Sequence, residues 1–206
     1  MGNLFCSYKP LSVLQHRGRL ILIAKQRLFS AFCELLAIML IDISFKFTYN
    51  SVRKEDDDMS KPIYLANNFI QKALQEDISL SPMKLQKLIY FVYRDYLQKT
   101  EKPLFAERIG TWEHGPVVGS VYQEFKGYGR KSIKKFARNG SGDVRVLNEK
   151  DKQFGEVLNN VWNKYKHYSG SELSRITHQE GSAWSQARKE DVGYLRDEDI
   201  LDDRAG

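Results

Sequence analysis

The chain has 206 residues, 42% hydrophobic and 12% aromatic, enough apolar matter for one domain with an extension and too much for a wholly disordered protein. Its net charge of +6 comes from 32 Lys and Arg against 26 Asp and Glu. So mild an excess on a densely charged surface excludes a polybasic tail and leaves an acidic protein partner and nucleic acid both open.

Residues 1–58 differ from the rest of the chain: they hold both cysteines, Cys6 and Cys33, and none of the three tryptophans. A disulfide framework is therefore excluded downstream, which suits a reducing cytoplasm. Residues 28–47 are strongly apolar but contain Glu34, Asp42 and Lys46, and the uninterrupted run 35–41 is far shorter than the roughly 20 residues a bilayer span needs. Arg17, Arg19, Lys25 and Arg27 precede it as they precede a signal anchor, yet no small-residue cleavage site comes after it. The expectation is no membrane segment. Met59 opens just before the first clean amphipathic helix, and the codons for Lys54, Glu55 and Asp56 can spell a purine-rich ribosome-binding sequence. Residues 1–58 are thus read as an atypical extension, translated from DNA upstream of the true start. Residues 59–189 form the main domain, and 190–206 an acidic, weakly patterned tail expected to be mobile or partner-dependent.

After Pro62, Ile63, Leu65, Ala66, Phe69, Ile70, Ala73 and Leu74 recur at helical spacing. Ser81 and Pro82 give an N-cap and a first-turn proline for a second helix. Leu85, Leu88, Ile89, Val92 and Tyr96 stripe it, and Tyr90, Phe91 and Tyr93 leave only a narrow polar strip at Lys84, Lys87 and Arg94. So apolar a helix is central. A short strand is expected to end within 110–114, and Gly115–Pro116 to break the chain and begin a helix bearing Val118, Val121, Tyr122 and Phe125. Segments 133–136 and 144–147 flank Asn139, Gly140, Ser141 and Gly142 as a loose β-hairpin. Asn148 is expected to cap a helix faced by Phe154, Val157, Leu158, Val161, Trp162 and Tyr165, and Ser169 with Glu172 to box the start of a shorter one. The fold class expected is mainly α with a small β insertion.

Three segments carry chemistry-bearing side chains in a fixed order: KLQKLIYF at 84–91, WEHGPVVGSVYQEFKGYG at 112–129, and LSRITHQE at 173–180 with Trp184 beyond it. Together they resemble the SocA-like Panacea domain of bacterial and phage toxin–antitoxin systems, over roughly residues 65–187. The resemblance implies a compact helical antitoxin of the cytoplasm. Its partner would be a cognate protein toxin encoded beside it, which it neutralises by direct binding or delivers to a protease as an adaptor. Three local departures stand out: Gly119–Ser120 where a proline-containing step is commoner, Gly181–Ser182–Ala183 before Trp184 where a proline is usual, and a tail without an evident closing aromatic helix.

Trp112, His114, Gly115 and Pro116 fit a partner-binding corner, or a plain strand-to-helix turn in which Trp112 fills the core. The second reading is favoured for Trp112; His114 fits either. Lys126, Arg130, Lys131, Lys134, Lys135 and Arg138 form one basic cluster without an intervening acid, interleaved with Tyr128 and Phe136. Such a cluster docks an acidic surface by steering, tracks a phosphate backbone, or is simply a solvated loop. The candidate partner-binding residues are His114, Gly115, Pro116, Tyr122, Lys126, Tyr128, Arg130 and Lys131. Lys84 and Lys87 fit partner contact and snorkelling equally.

No catalytic residue, metal site or cofactor is expected. There is no phosphate loop, zinc pattern or nucleophile elbow, and His178 and Glu180, at i and i+2, point to different helix faces without further ligands. Thr177 and His178 are instead expected to hydrogen-bond at a helix end, with Glu180 pairing a nearby base. The leading functional expectation is a non-catalytic antitoxin; the alternative is a nucleic-acid-binding regulator using residues 126–138.

Overall fold

The computed structural model describes residues 61–205, so the expectations for residues 1–58 and for a start at Met59 lie outside the described residues. Pro62 opens α1 (Pro62–Gln75), its fixed φ suiting the first turn and its missing N–H costing nothing there. Leu65, Ala66, Phe69, Ile70 and Ala73 form its buried stripe. Helix α2 (Pro82–Thr100) starts behind Ser81, whose hydroxyl accepts from the Lys84 amide at 3.3 Å, and stops at Glu101 in the left-handed region with φ 56°. It is the central helix: α1, a β-hairpin and four later helices all pack on it.

The hairpin pairs β1 (Ile109–Trp112) antiparallel with β2 (Gly115–Val118), Ile109 facing Val118 and Trp112 facing Gly115. Gly115–Pro116 therefore continues a strand, and the helix expected to begin there, α3 (Gly119–Phe125), starts later. The cause is tertiary. The Gln86 side chain grips the Val118 backbone, accepting from its amide at 2.8 Å and donating to its carbonyl at 3.1 Å. The Glu107 carboxylate then accepts from the Ser120 amide at 2.8 Å and hydroxyl at 2.6 Å, serving as the acidic cap of α3.

A single 3₁₀ turn (Lys126–Tyr128) leads into residues 129–151, which contain no strand. The expected hairpin of 133–136 with 144–147 is absent because its backbone groups find other partners. Buried Asn67 donates to the carbonyls of Ala137 and Arg145 at 3.0 and 2.8 Å and accepts from the Ala137 amide at 2.9 Å. Asn68 does the same for Leu147, at 3.0 and 2.9 Å. Ile133 is tied to Leu80 backbone to backbone at 2.9 Å. Side-chain amides thus satisfy polar groups that a ladder would otherwise pair.

Helix α4 (Lys152–Tyr165) is capped by Asp151, which accepts from the Phe154 amide at 2.8 Å. Asn148, the expected cap, instead accepts from the Lys150 amide at 3.1 Å in the preceding turn. Phe91 of α2 stacks on Tyr165 of α4 at 4.5 Å, and Phe69 of α1 meets Trp162 at 6.0 Å. Each such pair adds about 0.5–1.5 kcal/mol beyond burial. Helix α5 (Gly170–Thr177) carries the full Ser169/Glu172 capping box, and Ser182 caps α6 (Ala183–Lys189) through the Ser185 amide at 3.0 Å.

The tail expected to be mobile packs against the domain. Leu195 donates its amide to Ile109 at 2.8 Å, extending the free edge of β1, and α7 (Asp197–Leu201) lies on α2. Leu195, Ile200 and Ala205 are buried. Tyr93 donates to Asp197 at 2.7 Å, Gln98 to the carbonyl of Asp203 at 2.8 Å, and Tyr90 to the Asp203 carboxylate. The tail's few apolar residues suffice because α2 supplies polar anchors. The domain is mainly α with one small antiparallel sheet, and among the described residues no helix is long and apolar enough to cross a membrane.

Candidate functional site

The hairpin turn is built around Gly115, whose φ of 101° lies in a region that side chains rarely adopt. A Cβ there would stand 2.7 Å from both the Lys87 Nζ and the Thr177 Oγ1. Glycine is required on both counts. Pro116, buried beside it, presents its carbonyl to Lys87 Nζ at 2.9 Å. The carbonyl of His114 accepts from Ser174 Oγ of α5 at 2.9 Å, although the residue as a whole is exposed. The Trp184 indole donates to the Trp112 carbonyl at 2.9 Å and stacks on His178 at 3.8 Å. Sequence segments 84–91, 112–129 and 173–184 therefore lock together at this corner.

Above this support lies a cavity of about 400 Å³, lined in part by Met83, Lys87, Trp112, His114, Tyr122 and Lys126. Trp112, expected in the core, is 45% exposed; its ring meets Tyr122 edge-on at 4.7 Å. Alternation explains the error, since Ile109 and Thr111 of β1 point inward and Trp112 falls on the outward phase. Of the predicted residues, His114, Tyr122 and Lys126 meet at the cavity, and Gly115 and Pro116 open β2 directly after the turn. Tyr128 lines a second depression of about 520 Å³ with Lys134, Lys135 and Arg138. Arg130 and Lys131 are exposed and line neither of these two.

Lys84, Lys87 and Arg94, the narrow polar strip of the central helix, are 5%, 1% and 6% exposed. Lys84 is accounted for structurally: its ammonium donates to the carbonyls of Ser79 and Lys166, the latter at the end of α4. Burial pushes its pKa down, and pushes that of Lys87 down to about 7. His178 is also held below its usual value, first by burial and then by the charges of Lys87 and His114; its Nε2 is buried without a partner. Sequence reasoning missed Met83 and Gln86. The available signals were the position of Met83 one turn before Lys87 on the same helix face and that of Gln86 inside the run at 84–91.

Thr177 donates to the Ser174 carbonyl at 2.8 Å, and Glu180 pairs with Lys189 at 3.4 Å. Neither His178 nor Glu180 lines the cavity at His114. Among the described residues no three His, Cys, Asp or Glu are grouped to hold a metal ion.

These features define a helical domain with a pinned hairpin corner, and residues 85–185 match the family described as "Antitoxin SocA-like, Panacea domain". The chain belongs to this SocA-like Panacea family. It is 31% identical over 125 residues to Antitoxin SocA of Caulobacter vibrioides (strain NA1000 / CB15N), covering 58% of this chain and 66% of that protein. The chain thus spans just under two thirds of the curated relative's length. No solved structure matches it.

Proposed function

We propose that this chain is the antitoxin of a bacterial or phage toxin–antitoxin pair and neutralises its cognate protein toxin by docking it on the hairpin corner. Family membership supports the antitoxin role. The observation that carries the choice of surface is the exposed Trp112 rim over a cavity at which segments far apart in sequence converge. An apolar pocket rimmed by aromatic and cationic side chains suits a protein interface, where Trp, Tyr and Arg dominate affinity. The mechanism is steric or conformational, and the chain makes or breaks no covalent bond. Its setting is the cytoplasm, its toxin the protein encoded beside it, with a protease as a further partner where neutralisation proceeds by delivery.

The test is co-expression with that neighbour. Growth restored by the wild-type chain, and not by Trp112→Ala or His114→Ala, supports the reading. A neighbour that is harmless alone, or that stays toxic beside this chain, ends it.

A second reading rests on the exposed cations at Lys126, Arg130, Lys131, Lys134, Lys135 and Arg138, beside the depression at Tyr128 and Phe136. In it the domain binds nucleic acid and regulates. That reading requires DNA affinity falling steeply with salt and lost on charge reversal at Arg130 and Lys131. Absence of binding at low salt removes it.

A further inference from the structure

Lys87 is the least exposed residue of the cavity lining, and its ammonium has three N–H donors. The hydrogen bond it makes goes to Pro116, and among the described residues it forms no ion pair. Lys84, one turn away, shows what a structurally committed lysine looks like: its ammonium joins two carbonyls. Lys87 is placed otherwise. Thr177 Oγ1, across from it, gives its proton to the Ser174 carbonyl and makes no hydrogen bond with the Lys87 ammonium. The cavity it lines has apolar and aromatic walls at Met83, Val117, Trp112 and Tyr122, a second cation at Lys126, and one acid, Glu113.

A buried cation lacking a counter-ion weakens the free domain, and such groups concentrate where a ligand supplies what is missing. We propose that the cavity receives an acidic side chain of the toxin, carried beside an apolar one, with Lys87 as counter-ion to its carboxylate. The apolar walls take the hydrocarbon part, and the carboxylate reaches the ammonium in a site closed to water, where a charged pair is strongest. This contact presupposes toxin docking at the hairpin corner and names its central chemistry.

The probe is 3-phenylpropionate, with 3-phenylpropionamide as its uncharged twin, titrated into the full chain carrying isotope-labelled lysine. Trp112 fluorescence reports occupancy and the Lys87 side-chain NMR signal reports protonation. The acid is expected to bind about tenfold or more tightly than the amide and to restore the proton on Lys87. Lys87→Met, which keeps the length of the stem and removes the charge, is expected to fold and to lose that preference. Equal binding of acid and amide, equal acid binding by Lys87→Met, or no response of Lys87 to the acid overturns the proposal. Toxin neutralisation separates the two layers. If the probe fails while Trp112→Ala still abolishes neutralisation, the counter-ion role falls and docking stands; if neutralisation survives Trp112→Ala, docking at this corner falls.

Discussion

The ammonium of Lys87, on the central helix, donates to the carbonyl of Pro116 in the hairpin at 2.9 Å and lies 2.7 Å from where a Cβ on Gly115 would stand. One bond thus joins the most buried cation among the described residues to the first residues of β2. It also explains why a glycine, a proline and a lysine distant in sequence belong to one feature.

Gly115→Ala is expected to destabilise the domain by about 2–4 kcal/mol, since it combines a disfavoured positive φ with displacement of Lys87 or Thr177. Urea unfolding measures the loss. A variant within about 0.5 kcal/mol of wild type, the range of ordinary surface substitutions, contradicts this geometry.

Lys87→Met should stabilise the free domain in a pH-dependent way. The unfolded chain holds the Lys87 proton up to about pH 10.4, while the folded one releases it near pH 7. Between these limits the unfolded state binds more protons, so the wild type gains stability as pH rises. Below about pH 7 the burial cost is present in full, and there the variant is expected to be more stable by about 2–4 kcal/mol, the gap closing toward pH 10. A gap independent of pH shows that Lys87 is not a buried titrating charge.

Asn67→Ala removes the partner of Ala137 and Arg145 in the segment that replaces the expected hairpin. Leaving buried backbone groups unpaired is expected to cost about 2–3 kcal/mol. Amide hydrogen exchange gives the local check: Ala137 should lose its protection before the amides of α2 do.

The legible parts of the fold were the local ones. Ser81–Pro82 and the Ser169/Glu172 box act within one helical turn, so short spacing was enough to find them. The stripe of α2 announced a central helix. What escaped was decided by distant partners: Asn67 and Asn68 act on backbone 70 and 79 residues away, and Gln86 fixes a strand 32 residues on. At the site, His114 was found from the Gly115–Pro116 corner, Tyr122 from the helix stripe and Lys126 from the basic cluster, each a local feature of the sequence. Lys87 was noticed on the polar strip of α2, with partner contact and snorkelling left open, because no local pattern shows that Pro116 of the hairpin meets its ammonium.

The tail misled for the same reason. Ile200 is 1% exposed although its neighbours are acidic, and Ile200→Ala is expected to cost about 2–4 kcal/mol. Thermal unfolding checks it, and a shift indistinguishable from that of an exposed-site variant such as Leu201→Ala means the tail is not part of the packed domain.

The most direct measurement is the dissociation constant between the purified chain and the protein encoded beside it, for wild type and Trp112→Ala. Truncating an aromatic anchor at the centre of an interface costs about 2 kcal/mol or more, so binding weakened roughly 30-fold or more is expected, with α-helical content unchanged. Full affinity in Trp112→Ala, with binding lost instead on charge reversal at Arg130 and Lys131, would contradict docking at the hairpin corner.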